Sequence, residues 1–273
     1  MDFVINFKLM KTSLLFLALF SVSNLFGQTS GNGVTDIDGN FYETVKIGTQ
    51  EWMTKNLDVA TFRNGDPIPE AKTDEEWKKA WEEGKPAWCY YDNDPANGKK
   101  YGKLYNWYAV NDSRGLAPHR YHIPSDKEWW KLINFLGGKS VAGAKMKSTS
   151  GWLSYPDKGS KTCSNCENWN AEYRSKVPCH TCKDTRSVPV PKITGTNSSG
   201  FSGLPGGDRD SNGSFLFLDH GARERHQGIW WSSTESEYGI KQYRYFLLWY
   251  FSGGVVRGDN AGNAGFSVRC LRD

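Results

Sequence analysis

Four of the six cysteines fall in one short basic stretch as two Cys-x-x-Cys pairs, Cys163-Ser164-Asn165-Cys166 and Cys179-His180-Thr181-Cys182. A two-residue spacer lets both thiolates of a pair reach one ion, and two such pairs complete the tetrahedron of sulfurs that structural zinc prefers. A loop without a core of its own needs such a staple. Oxidation is the competing chemistry, because an exported chain meets disulfide-forming conditions. Pairing inside one Cys-x-x-Cys would close a small, strained ring, so the oxidised version is cross-paired. Zinc and disulfides both stay open. Redox catalysis is not expected, since no thioredoxin-like βαβ pattern surrounds the pairs. The remaining two, Cys89 and Cys270, each sit in a strand-like run, where they either join as a disulfide across a long loop or stay buried as free thiols.

Other reactive groupings are weaker. Asp208-x-Asp210-x-Asn212-Gly213, with Asp219 further on, imitates a calcium loop, but its flanks are not helical and the spacing reads as a β-turn at Ser211-Asn212-Gly213. Asp36, Asp38 and Asn40 lack a further acidic ligand and read as turn chemistry, so calcium is not expected. Asp92 and Asp94, beside Asn93, Pro95 and Gly98, read as loop residues. There is no Gly-x-Ser-x-Gly elbow and no phosphate-binding loop, and the five histidines are scattered. A net charge of +4, dispersed along the chain, gives no basis for a nucleic-acid partner.

The elements that position these groups are written in hydrophobic spacing. Lys11 precedes an apolar run, Leu14 to Val22, followed by small and polar residues to Gly27-Gln28. This reads as a signal peptide at residues 1–27, too short to span a bilayer, and it predicts a secreted or periplasmic protein that reaches a cell surface only through a partner. The rest, 28–273, is expected to form one domain with a Cys-rich insertion at 155–193. With 12 Trp, 13 Tyr and 14 Phe beside 29 Gly, the composition predicts an aromatic, loop-rich α+β core and not a helical bundle.

Val34 to Ile47 reads as a hairpin around Asp38-Gly39-Asn40. Thr73-Asp74-Glu75-Glu76 is a capping box opening a short helix with Trp77 and Trp81 one turn apart, stopped by Gly84. Ser125 with Glu128 caps a second, on which Trp129, Leu132, Ile133 and Leu136 form a core face before Gly137-Gly138. Tyr243 to Tyr250 alternates, and Val255 to Arg257 resumes past the Ser252-Gly253-Gly254 turn, which makes a hairpin with two large apolar faces.

Several stretches also resemble one family, in order. They are Asp36-Ile37-Asp38-Gly39-Asn40, Glu51-Trp52-Met53-Thr54-Lys55-Asn56-Leu57, Tyr101 to Val110, His122 to Trp129, Gly200-Phe201-Ser202-Gly203-Leu204-Pro205-Gly206-Gly207, Trp230-Trp231-Ser232-Ser233-Thr234-Glu235 and Gly265 to Cys270. Together they resemble the Fibrobacter succinogenes major paralogous domain, itself similar to the C-type-lectin-like fold of formylglycine-generating enzymes and of retroelement variable proteins. The resemblance implies twisted antiparallel sheets flanked by two principal helices, one from Ser125 and one over Leu104 to Val110.

Formylglycine-generating enzymes bind copper through a close pair of cysteines near the C-terminal part of the domain, and here only Cys270 lies there. The resemblance therefore implies the scaffold without the chemistry. In the variable proteins the ligand face comes from the segment matching Trp231 to Asn260. By position this implies Glu235, Tyr243, Tyr245, Trp249, Arg257, Asp259 and Asn260 as a ligand face, with a glycan or cell-surface protein as partner. The leading expectation is an exported recognition or adhesion domain. The alternative is a degenerate or uncharacterised enzyme on a formylglycine-generating-enzyme-like scaffold.

Overall fold

The computed structural model describes residues 29–152, 160–162, 187–189, 195–215 and 226–273. The segment expected as a signal peptide and Cys163, Cys166, Cys179 and Cys182 lie outside the described residues.

The chain opens with short strands β1 (Thr29–Ser30), β2 (Val34–Thr35) and β3 (Phe41–Tyr42), then β4 (Thr44–Ile47) and β5 (Gln50–Met53). Helix α1 (Asp74–Glu82) follows, then β6 (Trp88–Cys89), a 3-10 turn at Tyr91–Asn93, α2 (Pro95–Tyr101), β7 (Leu104–Tyr105), α3 (Trp107–Val110) and β8 (Tyr121–His122). The second half holds α4 (Asp126–Phe135), α5 (Ala142–Met146) and the paired strands β9 (Ser160–Thr162) and β10 (Ser187–Pro189). It closes with β11 (Gln227–Glu235), β12 (Gln242–Trp249), β13 (Val256–Ala261) and β14 (Leu271–Arg272). This is an α+β fold of several antiparallel sheets with few helices, as the sequence predicts.

Local chemistry explains most of these elements. The Asp36 carboxylate accepts from the N–H groups of Asp38 and Asn40 and from the Tyr42 hydroxyl, and Gly39 at φ +85° completes the turn, so the first hairpin pairs β2 with β3. Its expected continuation into β4 instead pairs with β5. Both capping boxes form, Thr73 with Glu76 and Ser125 with Glu128, and Trp129, Leu132 and Ile133 are the buried face of α4.

The second principal helix expected over Leu104 to Val110 shrinks to α3. Tyr105 exchanges backbone hydrogen bonds with Phe266, and the Asn106 side chain accepts from Ala87 and Ala109 N–H, so the first residues of that stretch are held extended. A segment apolar on every side gives no helical stripe to resist that pairing.

Two sheets frame the core. One has the order β1-β4-β5-β14-β8 and the other β11-β12-β13. Alternation on β12 sends Tyr243 and Leu247 into one buried cluster with Trp107, Trp231 and Phe266, and Phe246 and Leu248 into another with Trp129, Trp230 and Phe201. Core therefore lies against both faces of the central strand.

Between the sheets sits the Arg269 guanidinium, fully buried. It donates to Asn56 Oδ1 from Nε (3.1 Å) and from a terminal nitrogen (2.7 Å), and to the Met53 and Phe201 carbonyls from the other (3.0 and 2.5 Å). Its plane rests 4.4 Å from the Phe201 ring centroid. Trp230 Nε1 donates to the same Asn56 oxygen, and the Asn56 amide donates to the Tyr101 carbonyl and Ser267 hydroxyl. Burial pulls the Arg269 pKa down to about 9, which still leaves it charged at neutral pH.

The Cys89–Cys270 disulfide does not form. Both are free, buried thiols in different hydrophobic clusters, Cys89 with Trp77 and Leu104 and Cys270 with Tyr105 and Val268. Burial pushes the Cys89 thiol up to about 12 and Cys270 higher still, so neither offers a thiolate at neutral pH.

Asn56→Leu strips the acceptor from Arg269 and from Trp230. Stability should fall by about 3 kcal/mol or more, read as a lower urea midpoint at unchanged m-value.

Candidate ligand-binding face

The antiparallel register sets Glu235, Tyr243 and Asn260 side by side on one rung of the β11-β12-β13 sheet. Directly paired residues point to the same face, so the three side chains converge. Tyr243 lies flat on Trp107, with ring centroids 4.0 Å apart and planes 16° apart. Gly262 follows β13, and a Cβ there would meet Trp107, Tyr243 and Trp81 atoms at 2.6, 2.7 and 2.8 Å. Only a glycine lets the Tyr243 and Trp81 rings and the Trp107 Cβ approach the backbone this closely.

Helix α1 explains Trp81. Trp77 is buried, and Trp81, one turn on, is half-buried against Tyr108 at 5.0 Å between ring centroids. The rung is thereby extended into an aromatic margin of half-buried Trp81 and Tyr108, with the buried Tyr243 ring beneath it.

Its polar atoms are available. Among the described residues the Glu235 carboxylate, the Asn260 amide, the Tyr108 and Tyr243 hydroxyls and Trp81 Nε1 have no side-chain hydrogen bond or ion pair. Burial raises the Tyr243 pKa, with the Glu235 charge adding to the shift, so its hydroxyl remains a protonated donor. Trp81, Tyr108 and Gly262 are not among the residues assigned from sequence. The one available signal is the pair of tryptophans a helical turn apart, which share one helix face, Trp77 buried and Trp81 at its half-buried margin.

Arg257 and Asp259 point to the opposite face. Arg257 is held by two hydrogen bonds to Asp126 at the start of α4, at 2.6 and 2.9 Å, and that pairing raises its pKa. Arg244 donates to both oxygens of Asp259, at 2.6 and 2.7 Å, and stacks on Tyr238. These charges are spent on each other and staple the sheet to α4.

Tyr245 and Trp249 share the face of Tyr243. Tyr245 is half-buried, edge-on to Phe266 at 5.3 Å. Trp249 lies six residues along β12 from Tyr243, about 20 Å at the usual strand rise, stacked on Phe251. The seven positions grouped from sequence thus fall into one rung of three, a paired set on the reverse face, and two aromatics further along the strand.

The turn-like acids are turns. Asp36 caps the β2–β3 turn, and Asp210 Oδ1 accepts from Asn212 and Ser214 N–H at 2.8 and 3.0 Å. Asp219 lies outside the described residues. His122 sits between Asp273 and Glu128, at 2.8 and 2.9 Å, while the Ser125 hydroxyl donates to Glu128. That serine is engaged by a carboxylate in its cap and not by the imidazole, so the group is not arranged as a nucleophile and base. Among the described residues no three His, Cys, Asp or Glu side chains are grouped to hold a metal ion, and no helix is long and apolar enough to cross a membrane.

Asp208 is buried and accepts from Gln227 Nε2 at 2.5 Å, and burial raises its pKa from 3.8 to about 6. The folded state then holds a proton that the unfolded state releases, so stability falls as pH climbs from 3.8 to about 6 and stays lower above. Asp208→Asn should remove most of that fall and exceed the parent at pH 7 by about 1–3 kcal/mol, measured by urea unfolding at pH 4 and pH 7.

Compared with known proteins, residues 45–272 match the model of the Fibrobacter succinogenes major domain. No curated protein and no solved structure matches.

Proposed function

We propose, from the premise that this chain belongs to the Fibrobacter succinogenes major domain family, that it is an exported, non-catalytic recognition or adhesion domain. In this reading residues 28–273 form a single C-type-lectin-like domain carrying a Cys-rich insertion at 155–193. Residues 1–27 direct export to the periplasm or exterior, with surface attachment through a partner. The ligand is a glycan or a surface protein, and it docks on the rung of Glu235, Tyr243 and Asn260 as extended by Trp81 and Tyr108.

The observation that carries the proposal is the unpaired polar edge of that aromatic margin. Ring planes offer stacking area to a sugar or an apolar side chain, and the adjacent carboxylate, amide and hydroxyls supply oriented hydrogen bonds. Arg257 and Asp259 lack that freedom because each already has a charged partner. They support the face from behind.

The mature domain, applied to a glycan array and to a surface-protein extract, should select a ligand. Glu235→Gln should weaken that binding by about tenfold or more with melting temperature retained, and Trp81→Ala, at some loss of packing, should do so at a temperature where it is folded, whereas Trp249→Ala should leave affinity unchanged. Parent affinity in both rung variants overturns the assignment.

In the same reading Cys163, Cys166, Cys179 and Cys182 hold one structural zinc that staples the insertion. Metal analysis should return one zinc per chain, with four thiols exposed on chelation. No zinc and no free thiols among those four would assign cross-paired disulfides instead.

A further inference from the structure

A cleft of about 180 Å³ opens between the β2–β3 hairpin, the loop after β5 and the loop after α3. It shares no residue with the aromatic rung. Its floor is apolar, with Val59, Leu116, Ala117 and Pro118 all buried. The polar groups around it are Thr35, Asp36, Thr61, Arg63 and His119.

Donor and acceptor capacity decides what such a cleft can hold. The Asp36 carboxylate is full, since Oδ1 accepts from Asp38 and Asn40 N–H and Oδ2 from the Asn40 amide and the Tyr42 hydroxyl. A carboxylate offers about four acceptor positions, so none is left for a guest cation. Arg63 is the reverse. It donates from Nε to the Ala117 carbonyl at 3.1 Å and from one terminal nitrogen to the Tyr121 carbonyl at 3.5 Å. A guanidinium carries about five N–H donors, so roughly three remain, on a group already steadied by the loop beneath it.

The Thr35 and Thr61 hydroxyls and the His119 ring have no side-chain partner among the described residues. The surplus in the cleft is therefore of hydrogen-bond donors above an apolar floor, with the Arg63 charge as the one whose donors are still free and the Asp36 charge already enclosed by four donors.

We propose that this cleft binds a small organic anion, a carboxylate on a short apolar body. The carboxylate lies on Arg63 with the threonine hydroxyls and His119 around it, and the body rests on Val59, Leu116 and Pro118. Drug-sized pockets measure roughly 300–1,000 Å³, so this volume suits one ring or one side chain and not a saccharide chain.

Benzoate, benzamide and benzylamine, titrated separately into the mature full chain and followed by NMR, separate charge from shape. Benzoate should saturate with Kd on the order of 1 mM, and the neutral and cationic isosteres should bind at least about tenfold more weakly. Arg63→Gln should lower benzoate affinity by about tenfold or more. His119→Ala removes a side chain that bonds to nothing in the described structure. It should weaken benzoate severalfold at unchanged melting temperature, which keeps the test decisive if Arg63→Gln fails to fold. Absence of benzoate saturation, equal binding of the three probes, or parent affinity in a folded His119→Ala variant overturns the proposal.

Discussion

A full positive charge inside the molecule is the constraint around which this fold is arranged. Arg269 cannot reach solvent, and burying a guanidinium is tolerable only if its N–H groups are answered. The answers come from far apart in the chain, Met53 and Asn56 near its start and Phe201 past its middle. Three of the sequence stretches that carry the family resemblance thus meet at one group. Their order along the chain is a record of who must touch Arg269, and Trp230 joins by sharing the Asn56 oxygen.

The same solution recurs at smaller scale. Arg209, fully buried, donates to the Gly213 and Ala71 carbonyls and lies over Trp77 and Phe215. Lys103 donates to Asp58 and lies over Trp88 and Tyr90. Lys147 donates to the carbonyls of Trp249, Tyr250 and Ser252, fixing the turn between β12 and β13. In a chain dense in aromatic rings and loops, loop carbonyls need donors and long cationic side chains supply them while their heads rest on ring faces. The aromatic composition and the short strands are two sides of one arrangement.

What the sequence revealed depended on whether a signal was local. Capping boxes are complete within four residues, so Thr73 and Ser125 marked their helices correctly. The β12–β13 hairpin was visible from alternation and its Gly pair. Alternation could show that β12 has two apolar faces, but not that core lies against both. Residues that spacing groups as one candidate ligand face therefore lie on two faces of the sheet. Leu104 to Val110 departs from the helix its resemblance implies for a related reason, since partners at Ala87 and Phe266 decide its conformation and neither is nearby in sequence. Cys89 and Cys270 looked alike as strand residues, and only the packing shows that each belongs to a different cluster.

The fixed points on either side of residues 153–194 have a further consequence. Ser148 N–H donates to the Gly203 carbonyl at 2.9 Å and Asn197 N–H to the Lys147 carbonyl at 3.0 Å, so the chain departs and returns at one clasp. Once two ends are pinned together, the entropy of the span between them changes slowly, by roughly 0.6 kcal/mol for each doubling of its length. The clasp therefore separates the stability of the body from the length of what is carried between Trp152 and Gly195, since lengthening or shortening that span changes its closure cost only slightly.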